Sequence, residues 1–218
     1  MPHVLSSMAS KTFTMKFFSL LISSFAIIQM AMAGDPDILT DFIVPPYVTD
    51  VDGTFFTFTG LRALYGGGPS TTLQVSKVSL AEFPALNGQS VSYAVLEYPA
   101  GTTNPPHTHP RASELLFVVG GTLQVGFVDT TNKLFTQTLP TGRVISLCSQ
   151  RDLCTPYNAD AQIPVAAIAA FGSADAGTVS IPNTLFTTGI DDVVLAKSFK
   201  TNTTTIEALK AGLAPPTP

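Results

Sequence analysis

The chain has 218 residues, of which 45% are hydrophobic and 12% are charged, and it contains no tryptophan. This length is enough for one domain with a sizeable hydrophobic core. The formal net charge is −4 and no cluster of basic residues stands out, which argues against nucleic acid and anionic membranes as partners.

The first 33 residues have the features of a cleaved secretory signal. Lys16 precedes the apolar run FFSLLISSFAII, and Ala31-Met32-Ala33 supplies the small residues that a signal peptidase needs. An N-terminal membrane anchor is the weaker alternative, because the run is short and polar residues follow it at once. We therefore predict a signal peptide over residues 1–33 and one secreted domain over residues 34–218, with no membrane association after cleavage.

Short stretches typical of β-strands make up most of the mature chain. In order, they are TFFTFTG, STTLQVSKVSL, SVSYAVLEY, ELLFVV, GTLQVGFVD, KLFTQTL and PVAAIAAF. They are rich in β-branched and aromatic residues, and the segments between them, such as Gly120-Gly121 and residues 129–132, are typical of hairpin turns. Strands this short and closely spaced predict an all-β, antiparallel sandwich or barrel.

The hydrophobic period changes near the C-terminus. Residues 190–213 carry apolar residues at helical spacing in two runs, which begin near the N-cap candidates Asp191 and Thr203 or Thr204. We predict a C-terminal extension of short α-helices there. Its apolar face packs either on the barrel or on a neighbouring subunit, and the sequence leaves both alternatives open.

Two histidines, His107 and His109, are the only ones in the predicted mature chain. Side chains two apart on a strand face the same way, about 7 Å along the chain, so both can point into a barrel. Glu114 follows at the start of the next strand. Two imidazoles and a carboxylate suit manganese, iron or zinc. An accidental pair on an exposed strand is the weaker alternative, because the histidines adjoin a carboxylate in an apolar sheet.

The residues Gly101, His107, His109, Glu114 and Gly121 form the pattern G-x5-H-x-H-x4-E-x6-G, which resembles the first motif of the cupin superfamily. The longer string TNPPHTHPRASELLFVVGGTLQVGFVDTTNKLF is similar to the germin and germin-like proteins of plants. The GDPDILTDF opening and the helical C-terminus fit the same family. The resemblance implies a β-jellyroll barrel, secretion to the cell wall and apoplast, and manganese held by three histidines and one glutamate.

The same resemblance implies an activity and an assembly. Superoxide dismutase activity is favoured over oxalate oxidase activity, with a small-molecule or oxygen-species substrate, a role in plant defence and a hexamer built as a trimer of dimers. Asn104 matches an asparagine that lies near the metal in the family. Two alternatives stay open: a non-catalytic cell-wall or storage protein, and a small-ligand receptor. Secretion also makes Asn202, in the sequon Asn202-Thr203-Thr204, a candidate for glycosylation.

Residues 142–160, GRVISLCSQRDLCTPYNAD, depart from the family pattern. The second cupin motif resembles G-D-x-F-x-F-P-x-G-L-x-H-x-x-x-N and should supply the third histidine, which is missing here. Counting forward from Gly142 places Leu153 at the histidine position, whereas counting back from Asn158 places Cys154 there. The cysteine pair that germins carry near the mature N-terminus is missing too, with Ile43 in that region.

A shift of reading frame accounts for this segment. Back-translation of RVISLCSQRDLCT with permitted codons, read from the third base of the first codon, yields G-D-I-F-V-F-P-K-G-L-V-H, which is the missing motif with its histidine. Because only the wobble base is free in that shift, coincidence is a poor explanation. We hypothesise that residues 143–155 are translated out of frame, through a gene-model error or a genuine frameshift. A native tryptic peptide with the written sequence would contradict this.

Two further explanations keep the cysteines as they are written. Cys148 and Cys154 could form a disulfide, if their Cα atoms approach within about 7 Å. Alternatively, Cys154 could replace the histidine as a thiolate ligand, which would favour zinc or iron over manganese. For the chain as written we expect weakened manganese binding, and we expect Pro156 to remove a ladder hydrogen bond from the strand that carries the ligand.

Overall fold

The computed structural model describes residues 35–36, 38–65, 70–149 and 151–214, and the predicted signal peptide lies outside this part of the chain. Within the described residues, ten β-strands form two five-stranded sheets, and three short α-helices follow them. Every pairing between these strands is antiparallel. The predicted all-β class with C-terminal helices is therefore confirmed.

The two sheets interleave strands that are distant in sequence. The first sheet has the order β1 (Gln74–Val78), β2 (Ser92–Tyr98), β9 (Val165–Phe171), β4 (Glu114–Gly120) and β7 (Val144–Cys148). The second sheet has the order β10 (Val179–Ser180), β3 (His107–Thr108), β8 (Leu153–Cys154), β5 (Thr122–Val128) and β6 (Leu134–Pro140). Consequently β3 and β8, which are short, lie side by side in the middle of the second sheet.

The hydrophobic core lies between the sheets. Side chains on a strand alternate between its two faces, and in β2 and β4 every second side chain is buried. Leu96, Leu116 and Val118 from the first sheet meet Leu123 and Val125 from the second. The buried faces of these strands thus form one core.

One predicted strand is wrong. In TFFTFTG, residues 53–56 form turns, and a 3₁₀ helix, Gly60–Tyr65, follows. Asp52 starts the turn by accepting a hydrogen bond from the Thr54 amide at 2.8 Å. Phe55 and Phe56 pack edge-to-face with ring centroids 4.9 Å apart. The aromatic residues that suggested a strand contact each other here and do not pair with a sheet.

The predicted hairpin turns are confirmed. Gly121 links β4 to β5 with φ +83°, and a Cβ at this position would lie 2.7 Å from the Pro164 carbonyl oxygen, so glycine is required. Between β5 and β6, the Asp129 carboxylate accepts the amides of Thr131 and Lys133 at 2.8 and 2.9 Å. These turns set the register of β4, β5 and β6.

The helical extension is confirmed, with one additional helix. The helices are α1 (Ile181–Phe186), α2 (Asp192–Ser198) and α3 (Thr203–Leu213). Asp191 caps α2 as predicted, but α3 is capped by Asn202, because its Oδ1 accepts the Thr205 amide at 2.9 Å.

The helices pack on one another. Leu195, Ala196 and Ile206 form a small buried cluster that is separate from the barrel core. Val193, Val194 and Leu209 stay about half exposed, so part of the helical apolar face is left for a neighbour. Among the helices of the described residues, none has the length and apolar character to cross a membrane.

Candidate metal centre

Three of the predicted ligands meet in one buried place. His107 begins β3 and Glu114 begins β4, so the two sheets supply one side chain each, and His109 follows directly after β3. All three side chains are almost completely buried. They line a cavity of about 310 Å³, together with Asn104 and Phe171.

Backbone carbonyls hold both imidazoles in one orientation. Nδ1 of His107 donates to the Pro105 carbonyl at 2.8 Å, and Nδ1 of His109 donates to the Gly177 carbonyl at 2.6 Å. Because a carbonyl oxygen only accepts, each Nδ1 carries a proton, which leaves Nε2 as the metal-binding atom of the neutral ring. This arrangement is typical of metal-binding histidines, in which the second ring nitrogen is fixed by a hydrogen bond.

The distance between His109 and Glu114 supports a cation at this position. Nε2 of His109 lies 3.4 Å from Oε2 of Glu114. In a neutral His109 with its proton on Nδ1, both of these atoms are acceptors, so a cation shared between them would relieve their repulsion. Burial lowers the pKa of His107, which keeps that imidazole in the neutral form that metal binding requires. Two imidazoles and a carboxylate fit a first-row divalent metal, including manganese.

Tyr98 and Asn104 lie close to this group. Burial, reinforced by the charge of Glu114, raises the pKa of Tyr98, and the Asn104 side chain opposes this shift more weakly. The Tyr98 hydroxyl forms no aligned hydrogen bond with any of the described residues. Sequence reasoning missed Tyr98, whose only signal is an inward-facing position at the end of β2.

Cys154 lies where a further ligand would be expected. It pairs with His107 across β3 and β8 and is fully buried. Its Sγ, a ring nitrogen of His107 and a carboxylate oxygen of Glu114 all lie within 4.8 Å of one another. Leu153 pairs with Val128 and is only half-buried. Of the two positions reached by counting, the structure therefore places Cys154 at the site.

The structure joins Cys154 to Cys148. Their Cα atoms lie 5.9 Å apart, within the usual range for a disulfide. Cys148 ends β7 and pairs with Glu114 across the sheet, at an irregularity in the register between Glu114 and Leu115. As a result, the Cys148 sulfur lies 3.6 Å from Oε2 of Glu114. The disulfide thus lies beside the candidate metal centre.

Pro156 removes one backbone hydrogen-bond donor from the segment that follows β8. The amides of Thr155 and Tyr157 still donate to β5 at 2.8 Å each. On the opposite side, the Pro156 carbonyl accepts the Asn104 amide at 3.1 Å, and the return bond is missing because proline has no N–H. The predicted loss of a backbone hydrogen bond is therefore confined to the side of this segment that faces Asn104.

Comparison with known proteins identifies the family. The family model described as Cupin matches residues 69–207. Germin-like protein 9-3 of Oryza sativa subsp. japonica is 54% identical over 196 residues, which cover 87% of this chain and 91% of that protein. The chain is a germin-like protein of the cupin family.

Other relatives agree with this assignment. Putative germin-like protein 9-2 of Oryza sativa subsp. japonica is 50% identical over 211 residues, covering 93% of this chain and 98% of that protein. An oxalate oxidase solved in complex with the substrate analogue glycolate superimposes with a TM-score of 0.73 at 27% identity. That comparison covers 84% of the germin-like chain and 100% of the oxalate oxidase. The predicted cupin barrel is thereby confirmed.

Proposed function

We propose that this germin-like protein is a secreted, manganese-dependent oxidoreductase of the cell wall and apoplast. His107, His109 and Glu114 hold the metal, and the substrate is a small anion or an oxygen species. The observation that carries the proposal is the buried contact of 3.4 Å between Nε2 of His109 and Oε2 of Glu114, since a metal ion bound by the neutral imidazole and the carboxylate would bring the two atoms this close. Superoxide dismutation is favoured over oxalate oxidation.

The residues of the chain would prepare the site for that chemistry. Bound manganese would supply the one-electron redox step, while Leu96 and Phe171 line the cavity and limit the access of water. Lys77 lines the same cavity and is exposed. Its ammonium group would attract a small anion toward the histidines. Asn104 would orient that anion, in keeping with its place in the cavity wall.

The test is metal content combined with two activity assays. Mature protein is purified, its manganese is measured by mass spectrometry, and superoxide and oxalate turnover are assayed in parallel. We expect Glu114→Gln to weaken manganese binding by about 100-fold or more, because it removes a direct ligand. Glu207→Gln is the matched control, since it removes the same charge from an exposed residue of α3.

Each outcome has a distinct meaning. Equal manganese affinity in the Glu114→Gln and Glu207→Gln variants would refute the proposed ligand set. Manganese binding without either activity would favour the second candidate, a non-catalytic cell-wall or storage protein. The observation that favours this candidate is the disulfide, which holds the Cys154 sulfur in the position of a further ligand.

The contacts of Asp35 fit the proposed cleavage of a secretory signal after Ala33. The Asp35 carboxylate accepts hydrogen bonds from the Ser173 hydroxyl at 2.5 Å and from the Ala174 amide at 2.6 Å. Cleavage after Ala33 would leave this anchor one residue from the new N-terminus, where it would fix the end of the chain to the barrel. N-terminal sequencing of the secreted protein checks the position, and a start beyond Asp35 would contradict it.

Assembly into a homo-oligomer, proposed as a hexamer of three dimers, is supported by an apolar stripe on the first sheet. Leu115, Phe117 and Val119 point outward from β4 and are 39–49% exposed. Val144 pairs with Phe117 and is 53% exposed. Contiguous apolar surface of this kind is typical of an interface. Light scattering measures the number of subunits, and a monomer would contradict the proposal.

A further inference from the structure

The disulfide and the candidate metal centre share the same strand positions. Cys154 lies opposite His107 in the pairing of β3 with β8, and Cys148 lies opposite Glu114 in the pairing of β4 with β7. The bond therefore joins the two strands that face the two ligands. Both sulfurs are buried, and the six-residue separation between the cysteines makes the loop short.

One of these sulfurs lies at the distance of a ligand. A ring nitrogen of His107, a carboxylate oxygen of Glu114 and Sγ of Cys154 fall within 4.8 Å of one another. Ligand atoms bound to one ion at about 2.0–2.3 Å lie at most about 4.6 Å apart. A small side-chain rotation would therefore bring the three atoms around a single ion. As a thiolate, Cys154 would be a strong ligand, whereas a sulfur in a disulfide has no charge to offer.

We propose that the Cys148–Cys154 disulfide is a redox gate that changes the ligand set of this centre. Oxidised, the centre offers His107, His109 and Glu114. Reduced, it also offers the thiolate of Cys154. This inference rests on the proposed function, since it uses the same three ligands.

The reduction is a two-electron step by an external dithiol. The S–S bond breaks, two electrons and two protons pass to the cysteines, and the dithiol becomes a disulfide. When a metal then binds, the thiol of Cys154 releases its proton to solvent and a metal–sulfur bond forms. A second disulfide reverses the step by thiol–disulfide exchange, in which it is reduced to two thiols.

The gate would change the preference of the centre among metals. Nitrogen and oxygen donors are compatible with manganese, whereas a thiolate favours zinc and the softer divalent ions. Reduction should therefore raise zinc affinity more than manganese affinity. Ser149 and Arg151, which lie between the two cysteines in the chain, are exposed, so the disulfide lies beneath a surface segment. Local opening of this segment would admit the reductant.

The test uses the full mature protein and Co²⁺ as the probe. One portion stays oxidised, and the other is reduced with a dithiol and desalted without oxygen. We expect a sulfur-to-cobalt charge-transfer band in the reduced portion alone, together with a gain in Zn²⁺ affinity of at least about tenfold.

Two variants distinguish the role of Cys154 as a metal ligand from the role of Cys148 as its disulfide partner. Cys148→Ser should show the cobalt band without any reductant, because Cys154 is then permanently free. Cys154→Ser should show no band with or without the reductant. Near-ultraviolet circular dichroism checks that both variants fold, and if one does not, the reduced wild-type protein carries the test alone.

Several results would overturn the proposal of a redox gate. A reduced protein without a cobalt–sulfur band, or one with unchanged zinc affinity, would do so. Peptide mapping that finds histidine in place of the written Cys154, as the reading-frame hypothesis predicts, would also do so. Mn²⁺ binding by the oxidised protein, followed by electron paramagnetic resonance, is a separate measurement. If the oxidised protein does not bind Mn²⁺, the proposed function is refuted, whereas the cobalt result is unchanged.

Discussion

Placing a histidine at position 154 should give the candidate metal centre a third imidazole. Cys154 is fully buried, lies opposite His107 and places its sulfur within 4.8 Å of two of the proposed ligands. Those two ligands, His107 and Glu114, also line the cavity of about 310 Å³. Groups that only support metal ligands already change affinity by about 10–100-fold. A direct ligand should therefore raise Mn²⁺ affinity by about 100-fold, or about 2.7 kcal/mol.

The comparison needs a background without the disulfide. Cys148→Ala with Cys154→Ala serves as the reference, and Cys148→Ala with Cys154→His carries the new ligand. The matched control adds Leu153→His to the reference, because Leu153 is the neighbouring position on the opposite face of β8. Mn²⁺ titration by calorimetry or electron paramagnetic resonance measures all three. Equal affinities for the histidines at 153 and 154 would refute the register argument.

Two further predictions concern stability. Burial lowers the pKa of His107, so as the pH falls below about 6.5 the unfolded chain takes up a proton there before the folded protein does. The metal-free protein should lose up to about 1.4 kcal/mol per pH unit through this residue, and urea unfolding of His107→Gln should show a shallower slope. Asn158 is fully buried and donates to the carbonyls of Tyr98, Pro99 and Ile163 at 2.9–3.2 Å. Asn158→Ala should cost about 2–4 kcal/mol in thermal unfolding, and a loss no larger than that of the exposed Asn183→Ala would contradict this.

The predictions that held rest on local patterns. Short stretches rich in β-branched and aromatic residues marked β2, β4 and β5, and the hairpin signals at Gly121 and Asp129 marked the turns that follow β4 and β5. The strand predicted in TFFTFTG failed for a physical reason. Strand propensity reports side-chain shape, whereas a strand also needs a partner, and Phe55 and Phe56 contact each other here. A helix at Ile181–Phe186 was missed because it is short.

The sequence by itself determined which residue types are available to the candidate centre. His107 and His109 share a face because they lie two apart on an extended chain, and Glu114 follows at the start of the next strand. The family pattern also showed that a third histidine is missing from the written chain.

Only the tertiary structure decided what takes its place. Leu153 and Cys154 were equally acceptable by counting, and a shift of one residue exchanges the two faces of a strand. The register of β8 is set by its pairing with β3 and β5, where Cys154 meets His107 and Phe127. These contacts join residues far apart in the chain, so no local pattern encodes them. They bring Cys154 to the side of Glu114, and the pairing of β7 with β4 brings Cys148 there.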